Sequence, residues 1–392
     1  MPAALWGWLT NELLARRDLA VVWLERGTHK EHLQSGVPTA VFIDDRRITV
    51  TVMIGVDPHK ATHTALVIDG REVELAKLKV RASKRQSLQL LAWAAEFEDR
   101  VWAIESAGGL GDLLAQQLVA AGETVWDVPA TLAARVRVLG SGRSDKNDPN
   151  DARSVAVAAL RAPSLTGVRP EDHVSVLRML AKRNLDLARW RNKVCCRLHA
   201  LVAELVPGGI ATEVVVAQAS QLLDGLRPDG ASAAERHRMA LELVEDLVHI
   251  DTQIRESRRH ITTAVAASGT TLTDIFGVGP VIAAMLIGYT GDPCRFDSQH
   301  RYAAYNGTAP IEFSSAGRKT HRLSRRGNRT LNHAIHMAAV TQIRFAHSPG
   351  RGYYERKLAE GKTPKEALRA LKRRISDAIY RQLITDAHRA GR

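Results

Sequence analysis

The chain has 392 residues, 45% of them hydrophobic, with three cysteines and a formal net charge of +13. That length allows two or three domains with sizeable cores. It carries no uncharged apolar run of bilayer length, no basic start with a cleavage pattern and no CxxC pair among Cys195, Cys196 and Cys294, so a membrane span, a secretory signal and a disulfide framework are all disfavoured and the expectation is a cytoplasmic chain.

Residues 1–52 read apart from the rest: six Lys and Arg balance six Asp and Glu, and no apolar run finds a clear partner. They are expected to be an extension without function. From Met53 the pattern becomes regular. Strands are expected at Met53–Asp57, Thr62–Ile68 (closed by the turn pair Asp69-Gly70) and Glu72–Val80, then a helix over Ser83–Phe97. A strand at Val101–Glu105, a helix over Leu110–Ala121 ended by Gly122, a strand at Thr124–Val128 and a helix over Ala130–Leu139 follow. A polar loop, Gly140–Asn150, leads into a helix over Asp151–Arg161. This order, a three-stranded meander and then strands alternating with helices, is that of a ribonuclease-H-like α/β domain, expected over residues 53–165.

Residues 166–268 read as helical. Leu180, Leu187, Val194 and Leu201 recur every seven residues, with Leu177, Leu198 and Leu205 between them, and Asn184 and Arg191 break the stripe. Ala240, Leu243, Leu247, Ile250, Ile254 and Ile261 form a second run of the same spacing. Two core helices of a bundle would give this pattern; so would a coiled coil, which the polar breaks favour because such residues set register between subunits.

The last third, residues 269–392, is expected to be mainly helical and holds most of the charge: from Thr271 to Arg392, 21 Lys and Arg stand against 9 Asp and Glu, an excess of 12. Clustered cations favour a nucleic-acid partner, because each neutralised phosphate releases counterions. Phe276-Gly277-Val278-Gly279-Pro280 joins two short helical patterns in the manner of a helix-hairpin-helix, whose free backbone N–H groups meet phosphate, although an ordinary glycine turn has the same residues. Pro310 to Arg329 reads as a basic loop holding Ser314, Ser315, Arg318, Lys319, Arg322, Arg325, Arg326 and Arg329. On the residues alone it is first a phosphate-gripping loop, because a serine hydroxyl is a poor nucleophile without activation.

Four carboxylates stand where the expected fold would gather them. Asp57 and Glu105 end apolar strands, and Asp148 and Asp151 lie one helical turn apart near the last helix of the α/β domain. Gathered carboxylates raise one another's pKa unless cations intervene. Mg²⁺ takes hard oxygen ligands, and two ions roughly 4 Å apart clamp the attacking and leaving oxygens of a phosphodiester. Asp145 lies deeper in the loop and ranks below Asp148. The four-residue spacing of His59 and His63 crosses from a strand end into the next strand and reads as incidental.

Gly55-Val-Asp57-Pro-His-Lys60, Ile104-Glu105-Ser-Ala-Gly108 and Asn147-Asp148-Pro-Asn-Asp151-Ala152 resemble the DEDD motifs of the IS110 insertion-sequence transposases. Phe276-Gly-Val-Gly279, Tyr302 to Pro310 and the Ser-Ala-Gly and Ser-Arg-Arg-Gly-Asn328 runs are similar to that family's C-terminal domain. The resemblance spans Met53 to about the C-terminus. It implies a RuvC-like domain, a coiled coil and a serine-bearing transposase domain, with Asp57, Glu105, Asp148 and Asp151 holding Mg²⁺. It implies Ser315 as the nucleophile; Ala316 before Gly317 departs from the family's Ser-Gly and leaves Ser314 as a second choice. It further implies donor and target DNA, a bridge RNA and a homotetramer as partners. A water-using RuvC-like nuclease and a non-catalytic nucleic-acid-binding remnant are the alternatives.

Overall fold

The computed structural model describes residues 52–141, 148–210, 215–315, 318–323 and 327–391, with the side chains of 139–148 and 311–326 left aside. The extension (to Thr51), Asp145, Arg325 and Arg326 lie outside the described residues.

Six strands form one mixed sheet in the order β3-β2-β1-β4-β5-β6. β1 (Val52–Pro58), β2 (Thr62–Asp69) and β3 (Glu74–Arg81) are the antiparallel meander, and β4 (Arg100–Glu105) and β5 (Val125–Val128) continue it in parallel with β1. β6 (Thr166–Gly167) adds a short antiparallel edge just beyond residue 165, where the α/β domain was expected to stop. β1 is buried along its whole length and β2 along all but its two end residues, because both sheet faces are covered. On one face Val52, Ile54, Val56, Trp102 and Ile104 pack against α1 (Gln86–Ala94) and α2 (Asp112–Ala120). On the other, Met53, Leu66, Ile68 and Ala103 pack against α3 (Ala130–Ser141) and α4 (Asp148–Arg161). The polar stretch expected as a loop over 140–150 is partly helical: α3 runs on to Ser141 and α4 begins at Asp148 rather than Asp151.

α5 (His173–Leu205) and α7 (Ala231–Ala267) are the two long helices, with the short α6 (Val216–Asp224) between them. Asn184 meets Ser257, Arg191 meets Asp251 and Glu204 meets Arg236, so the two helices run antiparallel along each other. Asn184 and Arg191, the residues that break the leucine stripe, are thus used inside this chain. Asn184 is buried and donates to Ser257 Oγ at 3.4 Å, and Arg191 Nε lies 2.6 Å from Asp251 Oδ1.

The C-terminal part is helical around α8 (Pro280–Thr290), whose Ala283 to Gly288 are all buried. α5, α7, α10 (Arg329–Arg344) and α12 (Pro364–Arg389) share its core, and α9 (Gln299–Tyr305) and α11 (Pro349–Ala359) complete the unit. The first helix expected in a helix-hairpin-helix is here a single 3₁₀ turn, Leu272–Asp274. The expected serine loop is instead a two-stranded antiparallel ribbon, β7 (Pro310–Ser315) and β8 (Arg318–Leu323). Phe313 and Thr320, both of strand-forming types, stand opposite each other in this ribbon, where composition alone suggested a loop. No helix among the described residues is long and apolar enough to cross a membrane.

Candidate nucleic-acid processing site

Strand alternation decides which carboxylates share a face. Met53, Gly55 and Asp57 fall on the α4 side of β1, and Val101, Ala103 and Glu105 on the same side of β4. β1 and β4 pair in parallel with Val56 opposite Ile104, so Asp57 and Glu105 come next, side by side at the C-terminal edge. Strand ends of a parallel pair are where an α/β sheet places its ligands.

α4 brings the third carboxylate. It crosses β1 at Gly55, where an added Cβ would lie 2.2 Å from the Ala152 carbonyl oxygen and 2.6 Å from the Ala156 nitrogen. Only glycine admits so close an approach. The approach sets Asp151, the residue before Ala152, over the same edge of the sheet. Asp57 and Asp151 are 6% and 4% exposed, which is rare for carboxylates without counter-charges. Both have basic neighbours: His59 Nε2 lies 3.0 Å from Asp57 Oδ2, and Arg137 Nε of α3 lies 2.9 Å from Asp151 Oδ1. Asp148 opens α4 one turn before Asp151, its side chain lying outside the description. Arg137 stands outside the residues that the sequence marks, and His59 enters there only in an incidental spacing with His63. No short-range pattern marks Arg137, which meets Asp151 only because α3 and α4 pack; His59 was visible as the second residue after Asp57. His63 points elsewhere, its Nε2 bonded to Gln86 Oε1 at 2.9 Å, so the two histidines do not act as a pair.

Among the described residues no three His, Cys, Asp or Glu side chains are grouped as a metal-binding cluster. The donor chemistry nevertheless suits a hard divalent cation: two buried carboxylates and half-buried Glu105 on one edge, with the His59 ring beside Asp57 and the Arg137 guanidinium beside Asp151.

The turn after Glu105 is held tightly. Ser106 adopts the left-handed conformation with φ 52°, its N–H donates to Val128 O at 2.9 Å, and its carbonyl accepts from Gly109 N at 2.8 Å. Ala107 N donates to Asp127 Oδ1 at 2.7 Å. Burial pushes the Asp127 carboxyl above its usual range, against the opposing pull of the Ala107 hydrogen bond and the Arg178 guanidinium.

In the C-terminal unit the register sets Ser315 opposite Arg318 and Ser314 opposite Lys319. Successive strand residues belong to opposite faces of a ribbon, so the two serines are not interchangeable. Arg322 stands opposite Ile311. The side chains of Ser314, Ser315, Arg318, Lys319 and Arg322 lie outside the description. The foot of the ribbon is closed where Gly327 packs on Gly307, a Cβ at Gly327 falling 2.5 Å from Gly307 N. Asn328 N donates to Tyr305 O at 2.6 Å, and the Asn328 side chain caps α10, whose first residue is the exposed Arg329. Gly277 has φ 83°, and a Cβ there would lie 2.8 Å from Ala338 O, so packing against α10 explains this glycine. Gly279 caps the start of α8 in open space. The carboxylates are therefore gathered on one sheet edge, while the serines and cations stand on a separate ribbon of the chain.

Two family models match. A transposase model of the IS110 DEDD type covers residues 54–207, and one described as "Transposase IS116/IS110/IS902 family" covers residues 269–355. The chain is 29% identical over 379 residues to an uncharacterized 44.8 kDa protein of insertion element IS116 of Streptomyces clavuligerus, covering 85% of this chain and 94% of that protein. It is 27% identical over 390 residues to an uncharacterized 42 kDa protein of insertion element IS900 of Mycobacterium paratuberculosis, covering 85% and 95%. Among solved structures it resembles T. thermophilus RuvC in complex with a Holliday junction substrate, at 17% identity over 30% of this chain and 99% of that chain, with a TM-score of 0.25.

Proposed function

The chain belongs to the IS110 family of insertion-sequence transposases, with a RuvC-like DEDD domain, and from that premise we propose that it recombines DNA through a covalent serine intermediate. The observation that carries the reading is the close crossing of α4 over Gly55, which brings Asp151 to the sheet edge where Asp57 and Glu105 stand side by side. Asp57, Glu105, Asp151 and, one turn earlier on α4, Asp148 are the residues that would hold Mg²⁺. When bound, that ion would supply Lewis-acid stabilisation of the charge on a phosphodiester.

The protein's own groups do the rest. Ser315, registered opposite Arg318, attacks phosphorus; its Oγ–P bond forms, one bridging O–P bond of the strand breaks, and the hydroxyl proton passes to a base while the leaving oxygen takes one up. The phosphoserine–DNA linkage keeps the bond energy, so a hydroxyl of the second DNA reverses the step and reseals the strand. Arg318, Lys319, Arg322, Arg325, Arg326 and Arg329, with the Gly277 and Gly279 turn, would grip phosphates around that centre. Because the carboxylates and the serine belong to separate units, a shared site between copies in a homo-oligomer, taken as a tetramer, suits the reading. A bridge RNA as guide is part of the same proposal, as is the division into residues 53–165, 166–268 and 269–392. The test is to trap the protein–DNA adduct on a nicked suicide substrate and map the attached residue; strand cleavage by water without any adduct would replace this reading with that of a metal-dependent nuclease.

A further inference from the structure

A buried cation at the foot of the serine ribbon takes no part in the chemistry above. Lys372 of α12 is only 8% exposed, and its ammonium donates to Asn332 Oδ1 at 2.7 Å. Asn332 in turn donates through Nδ2 to the Asn306 carbonyl at 3.0 Å, and buried Asn306 donates to Ser376 Oγ at 2.7 Å, one turn beyond Lys372. Asn306 and Gly307 lead towards β7, and Gly327 and Asn328 lead away from β8. Lys372 therefore stands where both strands of the ribbon leave the helical unit.

Its surroundings are short of negative charge. An ammonium has three donors; among the described residues its one hydrogen bond goes to a neutral amide, and it makes no ion pair. Burial alone lowers the lysine from its ordinary range. His336, one turn beyond Asn332 on α10, is likewise lowered, by burial first and then by Lys372 and His333. Lys372 and His336 thus act on each other as like charges, and among the described residues no carboxylate pairs with the lysine. A buried charge is costly unless it is paired. Packing does not explain it, since an apolar chain of the same length would fill the space at lower cost. An oxyanion arriving from outside would.

We propose that Lys372, oriented by Asn332 and flanked by His336, is a seat for one phosphate of a DNA strand entering at the foot of the β7–β8 ribbon. The seat goes beyond the basic residues of the ribbon itself, and it follows from the polar cluster whether or not Ser315 is the nucleophile. Only the identity of the strand as the reacting DNA rests on the proposed function.

The test uses the full chain with Lys372→Met and Lys372→Arg. For the wild type, inorganic phosphate should raise the melting temperature, and Lys372→Met should abolish that rise. Without phosphate the Met variant should melt no lower than the wild type, because a costly buried charge has gone. On duplex DNA, the slope of log affinity against log salt should shrink in magnitude by about 0.9 in Lys372→Met, the loss of one phosphate contact. Lys372→Arg should keep most of it. An unchanged slope and phosphate response would overturn the proposal. So would a Met variant that melts well below the wild type while its folded fraction binds phosphate and DNA normally, which would make the lysine structural. A slope change on single-stranded RNA but not on DNA would also overturn the assignment to DNA. None of these readouts involves cleavage, so failure of the serine mechanism would leave them unaffected.

Discussion

Gly55 of β1 and Ala152 of α4 touch backbone to backbone: a β-carbon on Gly55 would stand 2.2 Å from the Ala152 carbonyl oxygen. The helix that carries Asp151 is held against the strand that carries Asp57 at a separation no other residue permits. The site is thus built by a contact that neither carboxylate makes.

Gly55→Ala should accordingly displace α4. The obstructing atoms are backbone, so they cannot swing aside as a side chain would. Overpacking of this kind costs roughly 1–3 kcal/mol, and this case belongs at the upper end. Thermal unfolding should report the loss, and DNA cleavage should fall further than the melting temperature explains. A variant that melts lower yet cleaves normally would separate the helix position from the chemistry.

Asp57→Asn, Glu105→Gln and Asp151→Asn should each lower cleavage roughly a hundredfold or more while leaving DNA affinity within a few-fold, since the basic excess lies in the last third of the chain. Arg137 gives a sharper test. It supplies the positive charge at Asp151 Oδ1, 2.9 Å away, so a divalent cation must compete with it. Arg137→Met should therefore melt lower without Mg²⁺, and reach half of its Mg²⁺-induced stabilisation at a several-fold lower concentration than the wild type. Equal or weaker Mg²⁺ response would mean that Arg137 does not oppose the cation.

Ser315→Ala removes one oxygen and little volume, so the ribbon should survive it. No covalent protein–DNA adduct should form in that variant at any Mg²⁺ concentration, whereas Ser314→Ala should still form one. The register makes the comparison sharp, because Ser315 is opposite Arg318 and Ser314 opposite Lys319. An adduct lost only in Ser314→Ala would move the assignment by one residue.

Asp127 supplies a pH dependence. Burial raises its carboxyl above the ordinary value of 3.8, so the folded state favours the protonated form. The folded chain then binds more protons than the unfolded one between 3.8 and the raised value. Stability from this group is present in full below 3.8 and is lost as pH rises through the raised value. Asp127→Asn keeps an acceptor for Ala107 N and removes that loss. It should melt higher than the wild type at pH 7, with the difference closing as pH falls below 3.8. A gap that stays constant with pH would mean that the charge of Asp127 is not its cause.

Much of the α/β unit could be read without any structure. Apolar runs such as Met53 to Val56 and the turn after Asp69 are local signals, and so is the position of Asp57 and Glu105 at strand ends. The same holds for the basic excess beyond Thr271 and for the family motifs, which are short and contiguous. These follow from period, composition and spacing, which the chain carries residue by residue. Other features depended on contacts between distant segments. The amphipathic stripes of α5 and α7 identified two long helices, but only packing decided that Asn184 and Arg191 bind Ser257 and Asp251 of the same chain. The basic serine stretch became a ribbon once β7 found β8, a pairing that composition does not encode. Arg137 beside Asp151 and Lys372 at the ribbon's foot were decided in the tertiary structure alone, because burial and charge balance belong to the arrangement of several elements and not to any one of them.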